Sequence, residues 1–357
     1  MRALLLAALV ASVAHAEVPT FIRAPDGFAV TTWAKVPNAR AMTWGDKGTL
    51  FVGTKSKGAV YAVRDFNGDG VVEAKELASG LREPTGVAFK DKALYVATIE
   101  TLFRFDDIEA QLAKPPKPVK VTSFPADGWH GWREIDFGPD GWLYVSIGAP
   151  CNVCKPEPGF GVILKMKPDG SERTTVARGV RNSVGIAWHP TTKHLWFTDN
   201  GRDMLGDDLP GDELNVVASP GAHFGFPFCH QGDTPDPEFG KQGKCSDAVK
   251  PAFTLGAHVA ALGLTFYSGA LFPKEFQGAL FFAEHGSWNR SKKSGYRVMR
   301  ATVDGDVVTK VEPFLSGFLD GQHALGRPVD VLVAADGALL VSDDDAGAIY
   351  RVAPVKR

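Results

Sequence analysis

The sequence predicts an all-β protein folded as a six-bladed β-propeller with four-stranded antiparallel blades. Short apolar runs separated by Gly, Asp and Asn turns recur along the chain, whereas helical spacing is confined to residues 108–112. One unit, made of a hairpin and a further strand, also recurs six times. Internal repeats of ~40 to 55 residues that each hold several short strands are typical of propeller blades.

Each repeat has an apolar strand, a turn and a second apolar strand that ends in small or polar residues. The six hairpins span residues 41–53, 85–97, 134–148, 184–198, 262–283 and 329–342. A third apolar strand follows each hairpin, at residues 60–63, 101–105, 161–166, 213–217, 296–301 and 348–352. One strand remains at residues 28–34, and we expect it to become the outer strand of the last blade, which closes the ring and protects an edge. An open sandwich would leave six similar hairpins unexplained.

The first residues have the features of a secretory signal. Arg2 precedes an apolar run, and Ala14-His15-Ala16 resembles a cleavage site. The run is too short to span a bilayer and does not recur, which argues against a membrane span. We therefore predict a signal peptide over residues 1–16, a single propeller domain over residues 17–357, and a periplasmic or secreted location.

Charge and cysteine content narrow the function classes. Lys and Arg number 39 against 41 Asp and Glu, with no basic block that would attract nucleic acid or anionic lipid. A small molecule is the expected partner.

The four cysteines predict disulfides, because their number is even and the protein is expected to be exported. Three pairings are possible: Cys229 with Cys245 would close one loop, and Cys151 with Cys154 a tight one. A Cys-x-x-Cys spacing also suits redox chemistry or half a metal site. Lys155 in place of His excludes covalent haem attachment.

The propeller geometry predicts a polar funnel. Loops before first strands and loops after second strands open at the same end of the central channel. The first set contains Arg40, Glu83, His130, Arg133, Arg181, Asn182, His258, His323 and Arg327. The second contains Lys55, Glu100, Asn152 and residues 199–203, 284–290 and 343–345. Converging cations, imidazoles and tryptophans indicate a ligand site, with ordinary solvated loops as the alternative.

His130 is the candidate general base. It lies between Trp129 and Trp132, just before an innermost strand, and an imidazole with an ordinary pKa of ~6.5 can take a proton from a hydroxyl. Arg181 and Asn182 supply a guanidinium and an amide nearby, suited to a carboxylate or an ortho-quinone oxygen. Each residue has a structural alternative, namely a hydrogen-bonded core histidine or arginines that pair with neighbouring acids.

Two stretches suggest calcium. Asp65, Asn67, Asp69 and Glu76, with Gly70, fit the spacing of a twelve-position calcium loop, although a plain hairpin turn is the alternative. The second stretch, residues 199–203 and 211–215, combines acids with exposed backbone carbonyls. Hard oxygen ligands favour calcium over zinc there.

Together these motifs resemble the soluble quinoprotein sugar dehydrogenases, and especially the sorbosone dehydrogenase branch. The resemblance covers nearly all of the expected mature chain and rests on residues 129–133, 137–148, 151–154, 179–182, 211–215 and 283–290. It implies pyrroloquinoline quinone and calcium in the funnel. It also implies oxidation of a sugar hydroxyl or hydrated aldehyde by hydride transfer to the quinone, with electrons passing to a separate acceptor.

The same resemblance implies roles for single residues. His130 corresponds to the general base, Arg181 and Asn182 to the pair that contacts the quinone, and Arg327 to an arginine for a cofactor carboxylate. The carbonyls of Gly201 and Arg202 correspond to ligands of the cofactor's calcium, and Asp212 and Glu213 to acids of a second calcium site.

Three positions depart from the glucose-oxidising branch of that family. Val329 occupies the place of a second arginine, and Gly201-Arg202 replaces a Gly-Pro loop. The cofactor lysine has no clear counterpart, which leaves His285 or Arg290 as substitutes. Two other functions stay open: a calcium-dependent lactonase, which needs a central cluster of carboxylates and amides, and a carbohydrate-binding propeller without catalysis.

Overall fold

The computed structural model describes residues 18–355, so the predicted signal peptide at residues 1–16 lies outside the described residues. The described chain has β-strands throughout and no α-helix. Its short 3-10 helices are Ile108–Ala110, Gly240–Gln242, Cys245–Asp247 and Lys274–Phe276. No helix between residues 18 and 355 is long and apolar enough to cross a bilayer.

The strands form six blades, as the repeats predict. Strand β1 is Phe28–Lys35. Blade 1 contains β2 (Ala39–Trp44), β3 (Leu50–Thr54), β4 (Val60–Arg64) and β5 (Glu73–Ala78). Blade 2 contains β6 (Gly86–Lys90), β7 (Ala93–Ala97), β8 (Thr101–Phe105) and β9 (Val119–Ser123). Blade 3 contains β10 (Ile135–Phe137), β11 (Leu143–Ile147), β12 (Val162–Met166) and β13 (Thr174–Arg178).

The fourth blade includes an excursion between its third and fourth strands. It contains β14 (Ile186–Trp188), β15 (Leu195–Asp199) and β16 (Gly211–Val217). The excursion holds β17 (Ala222–His223), β18 (Cys229–His230) and β19 (Thr234–Pro235), after which β20 (Phe253–Ala257) completes the blade. Strand β17 pairs in parallel with β13, so blade 3 has a fifth strand that the sequence did not predict.

The last two blades close the ring. Blade 5 contains β21 (Ala261–Phe266), β22 (Leu280–Glu284), β23 (Arg297–Asp304) and β24 (Val307–Leu315). A small hairpin follows, formed by β25 (Leu319–Asp320) and β26 (His323–Ala324). Blade 6 contains β27 (Pro328–Val333), β28 (Leu339–Asp343) and β29 (Ala348–Pro354), with β1 as its outer strand. The antiparallel β1–β29 pairing, from Phe28 opposite Pro354 to Lys35 opposite Ala348, confirms the predicted closure.

Neighbouring blades approach closely around the channel. Side-chain hydroxyls bond to the next blade, from Thr198 Oγ1 to the Leu262 carbonyl at 2.8 Å and from Ser342 Oγ to the Arg40 carbonyl at 2.8 Å. A Cβ at Gly185 would lie 2.1 Å from the Leu262 carbonyl oxygen, so only glycine allows this approach. The ring is therefore a rigid frame for the loops at its ends.

Aromatic residues fill the space between blades 5 and 6. Phe281 and Phe314 lie 4.8 Å apart between ring centroids, and Phe28 of β1 contacts Phe272 at 4.8 Å. Edge-to-face pairs of this kind contribute ~0.5–1.5 kcal/mol each beyond area burial. The strand that closes the ring is thus anchored by packing as well as by hydrogen bonds.

All four cysteines form disulfides, which confirms that prediction. Cys151 pairs with Cys154 in the loop after β11, and Cys229 pairs with Cys245 within the excursion. No free cysteine remains among residues 18–355, so the disulfide-bonded pair Cys151 and Cys154 does not provide half of a zinc site.

Candidate active site

A cavity of about 690 Å³ opens at the end of the channel where the sequence places the polar loops. Five of the six blades contribute residues to it, mostly from loops before first strands and after second strands. Its polar and aromatic lining includes Lys55, Trp129, His130, Trp132, Arg181, Asn182, Asn200, Asp203, Asp212, His258, His285, Trp288 and Arg327.

Half of the fourteen candidate site residues line this cavity. His130, Arg181, Asn182, Gly201, Asp212, His285 and Arg327 do so. Arg202, Glu213 and Arg290 do not line it, and Asp65, Asn67, Asp69 and Glu76 belong to blade 1 away from it. Lys55 and His258 also line the cavity although no role was predicted for them, and their only sequence signal was their position in funnel loops. Asp203, from the stretch predicted to hold calcium, lines the cavity as well.

His130 is held in one orientation by a backbone carbonyl. Its Nδ1 lies 2.8 Å from the Ala149 oxygen. Because a carbonyl only accepts hydrogen bonds, Nδ1 carries the proton and Nε2 keeps a lone pair. The imidazole therefore has the tautomer that a general base needs.

The surroundings keep His130 neutral. Burial lowers the pKa of His130 to about 3, with a further lowering by the Arg181 guanidinium, against the opposing hydrogen bond to Ala149. Lowering the pKa of an imidazole extends its unprotonated form to lower pH. His130 is thus available as a base throughout the neutral range.

A glycine makes room for the histidine. A Cβ at Gly148 would lie 2.5 Å from His130 Cβ, 2.9 Å from the His130 carbonyl oxygen and 3.1 Å from that of Arg181. Carbon atoms in contact prefer ~3.5–4.0 Å, so a larger residue would displace His130 or the loop after β11. Gly148 is a positioning residue that the sequence alone did not single out.

Arg181 is fixed by a network that includes the Cys151–Cys154 loop. Its Nε donates to the Asn152 carbonyl at 2.8 Å, and its Nη2 donates to Asn152 Oδ1 at 2.8 Å and to Asp203 Oδ2 at 3.0 Å. The backbone N–H of Asp203 also donates to Asn152 Oδ1 at 2.8 Å, and Asn152 Nδ2 donates to the Asp203 carbonyl at 3.1 Å. The small disulfide loop therefore holds one cation and one acid of the cavity together.

Asn182 has an unpaired buried atom at the cavity. Its backbone N–H donates to Asp199 Oδ1 at 2.6 Å, but its own Oδ1 is buried without a hydrogen-bond partner. Ser183 Oγ is orphaned in the same way. Buried polar atoms are nearly always paired, so the Asn182 oxygen at the cavity is available to a ligand or to an ordered water.

The segment proposed to hold calcium offers backbone oxygens. The Gly201 N–H donates to Asp212 Oδ1 at 2.8 Å, and the Ala261 N–H donates to Asp212 Oδ2 at 3.2 Å. No hydrogen bond to the carbonyl of Gly201 or Arg202 occurs within the described part of the chain. The Arg202 side chain points to the excursion, where it pairs with Asp236 at 2.6 Å and Glu238 at 2.9 Å.

Buried acids surround this segment. Burial raises the pKa of Asp199 to about 6, that of Asp212 to about 7 and that of Glu213 to about 8. Glu213 already accepts from the Gln231 N–H at 2.7 Å and from Asn215 Nδ2 at 2.8 Å. No three His, Cys, Asp or Glu side chains between residues 18 and 355 are arranged to hold a metal ion. An ion here would therefore depend on the backbone carbonyls, and the second site at Asp212 and Glu213 stays a prediction.

Arg327 and His285 form the blade 5 and blade 6 side of the cavity. Arg327 donates from Nε to the His285 carbonyl at 3.2 Å and from Nη2 to the Gly286 carbonyl at 2.6 Å. His285 Nε2 lies 2.8 Å from Asp344 Oδ1, and burial lowers the pKa of His285 to about 4 although Asp344 opposes this. His285 is consequently a neutral, paired residue. Val329 is buried with Val184 and Leu262, so an apolar cluster occupies the position of the second arginine.

The remaining predicted ligands lie elsewhere. Arg290 bonds to the Asp207 carbonyl at 3.0 Å and to Asp208 Oδ1 at 3.0 Å. Asp65 accepts from the N–H groups of Gly68 at 2.6 Å and Gly70 at 2.8 Å, as the acid of a tight turn does. The calcium loop at Asp65, Asn67, Asp69 and Glu76 stays a prediction, with Glu76 in β5 opposite Tyr61.

Comparison with known proteins gives the class. An uncharacterized protein of Borreliella burgdorferi is 32% identical over 358 residues, which cover 96% of this chain and 93% of the relative. The iodide structure of a Trichoderma reesei protein of Carbohydrate-Active Enzymes Family AA12 has a TM-score of 0.81 at 19% identity, over 96% of this chain and 98% of that chain. The holo PQQ domain of pyranose dehydrogenase from Coprinopsis cinerea has a TM-score of 0.79 at 18% identity, over 93% and 97%.

The fold is that of an AA12-like six-bladed propeller. The TrAA12-like family model matches residues 165–354, which is more than half of the chain. The chain belongs to the TrAA12-like family. The two structural matches bear on the fold, and their ligands are properties of those proteins.

Proposed function

We propose that this protein is a dehydrogenase dependent on pyrroloquinoline quinone (PQQ) that oxidises a sugar-like alcohol or aldehyde in the funnel. The observation that carries this proposal is His130, whose Nδ1 donates to Ala149 and whose Nε2 keeps its lone pair at the cavity wall. Family membership and the likeness to a quinone-binding propeller domain support the cofactor assignment.

The cavity residues fit a planar, polyanionic quinone. Three cationic side chains, Lys55, Arg181 and Arg327, line the cavity and suit the carboxylates of such a cofactor. The Oδ1 of Asn182, which accepts no hydrogen bond within residues 18–355, is available to a donor group of a ligand or of an ordered water. Calcium would be held by the carbonyls of Gly201 and Arg202, whose oxygens accept no hydrogen bond within residues 18–355.

The chemistry divides between cofactor and protein. When bound, the quinone supplies the acceptor for a hydride from the substrate carbon. His130 Nε2 removes the hydroxyl proton, and the hydrogen bond to Ala149 keeps the ring in position while the proton arrives. Arg181 and Arg327 provide fixed positive charge in a partly closed cavity, where such charge acts strongly. A separate protein or small molecule then takes the electrons.

The rim of the cavity suits a sugar-like substrate. Trp129 and Trp288 line it with 53% and 67% of their surfaces exposed, and aromatic faces pack well against the apolar faces of pyranose rings. We propose an aldose or a sorbosone-type aldehyde as the substrate. The predicted signal peptide and the two disulfides support a periplasmic or secreted location.

The exposed tryptophans also favour a second candidate function, a carbohydrate-binding propeller without catalysis. The calcium-dependent lactonase receives less support, because its metal centre needs a central cluster of carboxylates and amides, whereas the cavity lining is richer in Arg, Lys and His. Quinone binding distinguishes the first candidate from both.

The experiment is a titration of the purified, calcium-loaded protein with PQQ, followed by absorbance while aldoses and sorbosone-like aldehydes are added. We expect stoichiometric binding and reduction of the bound quinone by at least one substrate. Absence of binding by the folded protein would overturn the proposal. Binding of sugars without any quinone binding would support the carbohydrate-binding propeller.

A further inference from the structure

Lys55 is the one lysine or arginine of the cavity lining whose charged group has no hydrogen-bonding partner within residues 18–355. It follows β3 in blade 1 and lines the cavity. Its Nζ makes no hydrogen bond or ion pair in that part of the chain, whereas Arg181 pairs with Asp203 and Arg327 donates to two carbonyls. An ammonium group has three donors, so Lys55 retains its capacity for a ligand.

The position of Lys55 is set by an aromatic ring. Its Nζ lies 4.5 Å from the centroid of Trp132, while the guanidinium carbon of Arg40 lies 4.9 Å from the same ring. Trp132 is anchored by a hydrogen bond from Nε1 to Glu83 Oε2 at 2.8 Å. A cation–π contact orients the ammonium without using its hydrogen-bond donors.

The charges around Lys55 favour an incoming anion. Burial is the largest cause that lowers the pKa of Lys55; the Asp344 carboxylate raises it, Arg40 and Arg327 lower it, and Glu83 raises it slightly. The carboxylate of Asp344 is already shared between Arg40 at 3.0 Å and His285 at 2.8 Å. An anionic ligand group would relieve the repulsion among these cations and restore hydrogen bonds to the ammonium.

We infer that Lys55 binds an anionic oxygen of the quinone cofactor, a carboxylate or a quinone oxygen, and so provides from blade 1 the contact for which blade 5 has no lysine. This inference rests on the proposed function. The two alternatives in blade 5 are engaged, because His285 is paired with Asp344 and Arg290 with Asp208 and the Asp207 carbonyl. Lys55, in the loop after β3, lines the cavity with an ammonium group that makes no hydrogen bond within residues 18–355.

The test measures the affinity for PQQ directly, by quenching of tryptophan fluorescence in the calcium-loaded full-length protein without substrate. Lys55→Met should weaken binding by roughly 10- to 100-fold, the range for losing a hydrogen bond to a charged group. Lys55→Arg should recover part of that loss because it restores the charge. Lys57→Met is the matched control, since Lys57 is exposed, lies outside the cavity lining and should leave binding unchanged.

The outcomes separate this inference from the proposed function. If the wild-type protein binds the quinone and Lys55→Met binds within about threefold of it, Lys55 has no such role and the proposed function stands. If the folded wild-type protein does not bind the quinone, both are overturned. Thermal unfolding of each variant checks folding, and Lys55→Gln is the substitute should Lys55→Met unfold.

Discussion

Replacing Gly148 by alanine tests the placement of His130. The added Cβ would lie 2.5 Å from His130 Cβ, about 1 Å closer than carbon atoms in contact allow. Because the clash also involves the backbone oxygens of His130 and Arg181, rotation of one side chain cannot relieve it. We expect an overpacking cost of about 1–3 kcal/mol in the free energy of unfolding.

The same shift should impair catalysis more than stability. A displacement of about 1 Å in a catalytic group can lower the rate by ~100-fold. Urea denaturation gives the free energy of unfolding, and single-turnover reduction of bound PQQ gives the rate. Gly256→Ala is the control, because its Cβ would meet only the Val259 side chain, at 3.2 Å, in the outer strand β20. A Gly148→Ala protein that reduces the quinone within threefold of wild type would refute the assigned position of His130.

Two further predictions concern the same cavity. Asn152→Ala removes the Oδ1 acceptor and the Nδ2 donor that join Arg181 to Asp203 but keeps the backbone carbonyl, so we expect the free energy of unfolding to fall by about 2 kcal/mol, given ~1.5–3 kcal/mol for hydrogen bonds to charged groups. Urea denaturation measures this free energy. Asn152→Asp keeps Oδ1 as an acceptor and should therefore be less destabilised than Asn152→Ala. Equal stability of wild type and both variants would contradict the role of Asn152. The pH–rate profile should show no loss of the base form of His130 between pH 7 and 5, since burial and Arg181 lower its pKa to about 3. A histidine with a pKa of ~6.5 would be mostly protonated at pH 5, so a steep fall in rate with an apparent pKa near 6.5 would contradict a buried, neutral His130.

The fold could be predicted from the sequence because each propeller blade repeats the same local sequence pattern. Alternating apolar residues and turn residues define each hairpin, and the strand at Phe28–Lys35 had no other partner than the last blade. The pairing of β17 with β13 was not predictable, because two residues in a long excursion carry no periodic signal. Closure of the ring follows from the apolar strand pattern in the sequence. The fifth strand of blade 3 instead depends on the path of the excursion in three dimensions.

The site was predictable only as a set of loops. Position in the repeat brought His130, Arg181, Asn182 and Arg327 to one cavity. Position could not show that the side chain of Arg202 turns to Asp236, since that requires the conformation of the excursion.

The role inferred for Lys55 likewise depends on what neighbouring groups leave unpaired. Sequence analysis gave the position of this lysine in the funnel without showing that Asp344 is already engaged by Arg40 and His285. Only three-dimensional packing shows which polar groups remain available to a ligand.

The measurement that tests the proposed mechanism most directly is single-turnover reduction of bound PQQ in His130→Gln, beside wild type and the control His194→Gln, whose histidine pairs with Asp306 away from the cavity. All three proteins should bind the quinone with similar affinity, but only His130→Gln should lose reduction by sugar, by about 100-fold or more, as expected for removal of a general base. Reduction by His130→Gln at the rate of wild type would show that another group takes the proton.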